Sequence, residues 1–248
     1  MTASRSGKAS VASGHPRVTE AAAEILRAGG NAFDAVVAAG FAAAVAEPAL
    51  TSLGGGGFLL ARTAQGQATL FDFFVDTPGR GLPAGQLEPH FLPVIVRFPA
   101  SEQIFNVGLG SVATPGALRG YLHVHRRLGR LPLREVLAPA IHLARAGVTI
   151  NHKQAYFLDL LTPIMTLTAT GRALFKPDGR YLGEGDMHRN PDLAMFLETL
   201  SADGEREFYE GELARRIAAD MGAGGGLLTA TDLAAGRVIE REPLSVQY

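Results

Sequence analysis

The apolar positions of this chain fall into runs of two periods. Val18 to Ala28 carries Ile25 and Leu26 on one face, and Gly29-Gly30 follows as a stop, so a short helix is expected there. Asn31 stands where a helix cap belongs, with Asp34 three residues on to reach back to it. The next run, Ala35 to Ala46, has small or apolar residues on every face and predicts a helix buried all round. Pro48 ends it by disfavouring helical geometry at Glu47. Four glycines, Gly54 to Gly57, then separate this helix from an apolar strand run. Such a corner can adopt angles closed to other residues and lets backbones approach closely.

Phe58 to Ala61 and Thr69 to Phe74 read as a hairpin joined across Ala64 to Gln67. Their hydrophobicity is continuous, which predicts a sheet covered on both faces. Residues 80–99 are rich in Pro and Gly and read as a long loop with a strand at Pro93 to Phe98, followed by a second strand at Ile104 to Val107. Thr114 with Pro115 behind it predicts a capped helix running to about Leu128. Further helices are expected at Leu133 to Ala146, Gln154 to Leu161, Leu193 to Leu200 and Glu205 to Met221, with Pro139 as a kink or a join. The end, Glu242 to Tyr248, has the character of a strand beginning. The order of elements makes this an α+β chain, and no repeat or linker divides its 248 residues.

Composition narrows the classes of function. With 47% hydrophobic and 19% charged residues the chain suits a globular protein with deeply buried elements. A formal net charge of −1 gives no electrostatic reason to expect nucleic acid or an anionic membrane as partner. There are no cysteines, which excludes disulfides, thiolate metal sites and a Cys nucleophile. The first ten residues are polar and show no secretory core, and the longest apolar run is too short to span a bilayer, so a soluble, cytoplasmic protein is expected.

No catalytic set is complete in the residues themselves. The glycine run is neither a dinucleotide fingerprint, since Leu59 stands where a glycine is required, nor a phosphate loop, since no Lys-Ser/Thr pair follows. His123 and His125 sit two apart on a predicted helix and point to different faces, and no metal-binding spacing occurs elsewhere, so no metal or cofactor is expected. The group Arg126, Arg127, Arg130 and Arg134 suits a solvated helix end. No Gly-x-Ser-x-Gly elbow is present.

A resemblance supplies what composition cannot. Ser13-Gly-His-Pro16, Ala23 to Asp34, Val45-Ala-Glu-Pro48 and Leu53-Gly-Gly-Gly-Gly-Phe58 are similar to the amino-terminal signature of the γ-glutamyltransferase family. The likeness continues through Gly110 to Gly116, Pro139 to Gly147, Phe208 to Ala214, Gly225 to Leu233 and Pro243, in the family's order and over essentially the whole chain. It implies an N-terminal-nucleophile hydrolase with an αββα sandwich, made as a precursor that cuts itself into a large and a small subunit. The new amino-terminal threonine of the small subunit is then the nucleophile and its own amine the base. Water or an amine acceptor resolves the acyl-enzyme. The chain resembles the large-subunit portion, so no catalytic residue is assigned within it, and the expected partner is a small subunit bearing that threonine. Thr51 and Ser52 correspond to a loop of the large subunit and not to the nucleophile.

One departure bears on the substrate. The family usually has an Asp-Phe-Arg-Glu-x-x-Pro segment whose arginine holds the glutamyl α-carboxylate. Here the segment is Asp72-Phe-Phe-Val-Asp-Thr-Pro78, with Phe74 in place of the arginine and Val75 in place of the glutamate. The resemblance thus makes Phe74, Val75 and Asp76 candidate substrate-binding positions, with Arg80 and Arg97 of the following loop able to replace the missing cation. A γ-glutamyl or related amide is the expected small-molecule substrate. The other reading is a truncated or degenerate homologue acting as a binding or scaffold protein.

Overall fold

The computed structural model describes residues 9–83, 85 and 87–247; the polar amino terminus read above and Tyr248 lie outside them. Helix α1 (Pro16–Arg27) starts with His15 as its cap, whose ring nitrogen accepts from the Arg17 N–H at 3.1 Å. It buries Val18, Ala21, Ala22 and Ile25 against α2 (Ala32–Ala46). The cap of α2 forms as its spacing predicts: Asn31 accepts from the Phe33 and Asp34 amides at 2.8 and 3.0 Å, and the Asp34 carboxylate accepts from the Asn31 amide at 2.9 Å. Asp34 is fully buried and also accepts from the Arg130 amide at 2.9 Å, so it ties the start of α2 to the loop behind α3. All of these partners are structural. Ala32 and Val36 apart, α2 is buried or half-buried along its length, which is why its sequence has no polar face.

Strands β1 (Gly57–Arg62) and β2 (Ala68–Phe73) form an antiparallel hairpin, paired from Gly57 with Phe73 to Arg62 with Ala68. One face packs inward through Ala61, Phe71 and Phe73. The other is open: Phe58 is 58%, Leu60 66% and Phe74 60% exposed. A sheet covered on both faces is therefore not what the described residues form. Helix α3 packs on the inner side, and the apolar outer residues account for the unbroken hydrophobicity of the two runs.

A second hairpin, β3 (Leu92–Phe98) and β4 (Ser101–Val107), stands apart from the first, its second strand beginning three residues before the expected Ile104. Helix α3 (Ala117–Leu128) follows, then α4 (Leu133–Ala146), one helix with Pro139 inside it. Thr114 does not cap α3. Its backbone pairs with Asp76, and the first amides of the helix region, Gly116 and Ala117, donate to the Gly55 carbonyl at 2.9 and 2.8 Å. The glycine corner itself is the cap. None of the four glycines has a positive φ; what the corner demands is space, since a Cβ on Gly56 would lie 2.5 Å from the Val75 nitrogen.

The remaining elements are β5 (Val148–Thr149), α5 (His152–Met165), α6 (Ala169–Phe175), β6 (Met187–His188), α7 (Pro191–Asp203), α8 (Arg206–Tyr209), α9 (Glu212–Ala223), α10 (Ala230–Ala235) and β7 (Ile239–Arg241). The single helix expected from Glu205 is two, broken at Gly211. The strand expected from Glu242 does not form in residues 242–247; a short strand just before it, Ile239–Arg241, pairs with β2 as β7 and gives the sheet order β1-β2-β7. One large apolar core joins α1 to α4, α7 and the inner sheet face, and a small second cluster of Ile150, Leu158, Phe175 and Leu182 lies under α5 and α6.

Candidate functional site

Strand β2 ends at Phe73, and the segment after it opens into a cleft of about 480 Å³. Phe74, Val75, Asp76 and Arg80 all line it, with Phe58 from β1 and Ile239 from β7 on the sheet side. Phe58 and Phe74 stack nearly parallel, 5.5 Å between ring centroids and 13° between planes, and form an exposed aromatic ledge. Arg97 is not brought here. It lies on β3, paired with Glu102 at 2.8 Å, in a separate groove of about 400 Å³ against α5. Position in sequence suggested a loop able to fold back, and the second hairpin carries it away.

The acids of the cleft are already matched. Asp72 accepts from the Phe74 amide at 3.1 Å and from the Arg241 guanidinium at 2.8 Å; that amide first, against a smaller opposing effect of burial and then with Arg241, holds its carboxyl below the usual range. Asp76 accepts from Arg80 at 2.6 Å and from the Thr77 amide at 2.9 Å, and the Arg80 bond is the main reason its carboxyl is also lowered. Arg237, at the edge of the cleft, adds to the same lowering.

The turn bearing Arg80 is fixed from a distance by Asp232 of α10. This buried carboxylate accepts from the amides of Gly79, Arg80 and Thr229, each at 2.9 Å, and from the Thr229 hydroxyl at 2.9 Å. Burial would raise its carboxyl, and these donors more than offset that and hold it low. The Thr229-x-x-Asp232 spacing is a cap signal that reading for catalysis passes over. The floor of the cleft is Arg119 of α3, whose guanidinium lies 3.9 Å from the Tyr209 ring centroid. It donates to the Leu233 carbonyl at 2.9 Å and to the Gly236 carbonyl, at the end of α10. Burial pushes the Tyr209 hydroxyl up to about 12, against the opposing Arg119 amide. No local signal marks Arg119, because its partners lie 90 or more residues away.

A smaller cleft of about 310 Å³ lies behind the glycine corner between Leu50, Thr51, Ser52 and Tyr121. Burial raises the Tyr121 hydroxyl and its bond to Thr51 opposes this. His123 and His125 diverge as expected, to Glu240 at 2.9 Å and to the Leu131 carbonyl at 2.8 Å. Among the described residues no helix is long and apolar enough to cross a membrane.

The architecture is a portion of the α+β N-terminal-nucleophile hydrolase fold of the γ-glutamyltranspeptidases. The chain superposes on Helicobacter pylori γ-glutamyltranspeptidase with a TM-score of 0.81 at 30% identity, covering 96% of this chain and 66% of that one. On the Pseudomonas nitroreducens γ-glutamyltranspeptidase complexed with L-DON the values are 0.80 and 29%, over 97% and 68%. Residues 18–248 match the Gamma-glutamyltranspeptidase family, and the chain belongs to that family. It is 36% identical to the glutathione hydrolase proenzyme of Escherichia coli (strain K12) over 98% of its own length and 41% of the relative's. It is 35% identical to the Acylase ACY 1 proenzyme of Pseudomonas sp. (strain V22) over 96% and 42%. The chain thus spans about two-fifths of the length of these relatives.

Proposed function

We propose that this chain is the large-subunit part of an N-terminal-nucleophile enzyme that cleaves or transfers a γ-glutamyl or related acyl group from an amide donor to water or an amine. The nucleophile is a threonine at the start of a small subunit outside this chain, and the large-subunit part supplies walls of the acyl pocket. Attack of the threonine hydroxyl on the donor carbonyl expels the amine and forms an acyl-enzyme, and its own α-amine takes and returns the proton. Water or a second amine then releases the acyl group.

The observation that carries this reading is where the Asp72–Pro78 segment lies: it forms the rim of the 480 Å³ cleft, in a chain whose relatives are named glutathione hydrolase and acylase proenzymes. The test is to express the complete reading frame that contains residues 1–248. A single precursor that converts to two chains and then releases amine from an acyl anilide supports the proposal. A product that neither divides nor hydrolyses any acyl anilide refutes it.

A further inference from the structure

The inference deepens the preceding proposal and rests on its reading of the cleft after β2 as the acyl pocket. The aromatic ledge of that cleft is apolar and exposed, while the acids around it are matched in place. Asp72 is taken by Arg241 and by the Phe74 amide, and Asp76 is taken by Arg80. Continuing the antiparallel pairing of Asp72 with Ile239 by two residues sets Phe74 opposite Arg237, the cation nearest the ledge by register. Arg237 lines the cleft and helps to lower the Asp76 carboxyl, but makes no hydrogen bond or ion pair of its own among the described residues. Arg119 donates through its two terminal nitrogens to two carbonyls and lays its face on Tyr209, while its Nε is buried without a partner. A donor carboxylate laid on the ledge would lose water against two apolar rings, with Arg237 the cation placed to offset that loss. A flat apolar group can stack on the outer face of this pair, extending the arrangement the two rings already adopt.

We infer that the Phe58–Phe74 ledge selects the acyl group of the donor, and that the class it selects is a planar apolar acyl, an arylacetyl amide being the representative. Phe58 and Phe74 are then specificity-determining residues.

The experiment uses the complete protein and two readouts. The first is kcat/KM for phenylacetyl, acetyl and γ-glutamyl amides of one aniline. The second is binding of phenylacetate, followed by saturation-transfer NMR, which needs no turnover. The expected result is a phenylacetyl-to-acetyl ratio of about tenfold or more, falling toward one in Phe74→Ala and in Phe58→Ala. Phenylacetate binding should weaken in parallel, and Phe74→Leu, which keeps an apolar side chain, guards against loss of folding when checked by circular dichroism. A ratio near one in the wild type overturns the inference, as does a ratio that survives both alanine variants. A γ-glutamyl preference abolished by Arg237→Ala overturns it too, in favour of carboxylate recognition. Phenylacetate binding that depends on Phe74 without hydrolysis of any anilide leaves the inference standing and removes the proposed function. Hydrolysis of anilides with no phenylacetate binding does the reverse.

Discussion

Replacing Asp232 with Asn tests whether one buried carboxylate holds the cleft's rim. The side chain accepts four hydrogen bonds, from the amides of Gly79, Arg80 and Thr229 and from the Thr229 hydroxyl. A hydrogen bond to a charged group contributes about 1.5–3 kcal/mol, and a buried donor left unpaired costs about 1–3 kcal/mol. Three of these donors meet Oδ2 and the Arg80 amide meets Oδ1, so asparagine keeps its carbonyl oxygen for one set and turns an NH2 group toward the other. The expected loss is about 2–4 kcal/mol of unfolding free energy, less than the sum because the amide can rotate and water can enter. Asp76→Asn is the control, because its pair with Arg80 is half exposed and should change stability by less than about 1 kcal/mol. Urea unfolding of both variants measures the difference, and hydrogen exchange of the Gly79 and Arg80 amides localises it. The pH dependence has a definite sign. The folded-state pKa of Asp232 is depressed, so its contribution is fully present above the ordinary value of 3.8 and is lost only as pH falls through the lower folded value. A loss under about 0.5 kcal/mol, with exchange at Gly79 and Arg80 unchanged, would refute the reasoning.

The 248-residue chain by itself is expected to release no amine from acyl anilides, since the proposed nucleophile lies outside it; product formation above the blank by highly purified chain contradicts this. The isolated chain should also self-associate, because Phe58, Leu60, Phe74 and Ile239 are exposed on one sheet face, and monomeric elution with a cooperative thermal transition would count against that. Gly120→Ala should destabilise by about 1–3 kcal/mol, because the added carbon would sit 2.1 Å from the buried Phe73 ring; an unchanged melting temperature shows that the ring can move aside.

What the sequence reveals here is what short-range chemistry decides. The Asn31–Asp34 cap and the glycine stop after α1 are legible because each partner lies within one helical turn of the other. Thr114 misleads for the same reason: it has the right residue type beside Pro115, but the α3 amides find the Gly55 carbonyl, some sixty residues earlier. The hydrophobicity of β1 and β2 correctly marks strands, yet cannot tell an apolar face covered within these residues from one left open. In the cleft, Phe74, Val75, Asp76 and Arg80 are found because they are contiguous with a recognisable segment. Asp232, Arg119 and Phe58 reach the same place through pairings that no local pattern records.

The backbone beneath Phe74 explains why the side chain at that position can change while the fold is kept. A Cβ on Gly56 would meet the Val75 nitrogen at 2.5 Å and the Phe73 carbonyl oxygen at 2.9 Å. A Cβ on Gly116 would meet that same oxygen at 2.1 Å and the Phe74 carbonyl oxygen at 3.0 Å. Residues 73–75 are therefore held close against two glycines, with the Phe73 ring seated against Gly120. Asp232 fixes the chain again at Gly79 and Arg80. The main chain is held at both ends by groups that make no use of the side chain at 74, and that side chain is more than half exposed. Arginine or phenylalanine can stand there without disturbing the core, so a change of residue at 74 alters what the cleft presents and leaves the frame that presents it in place.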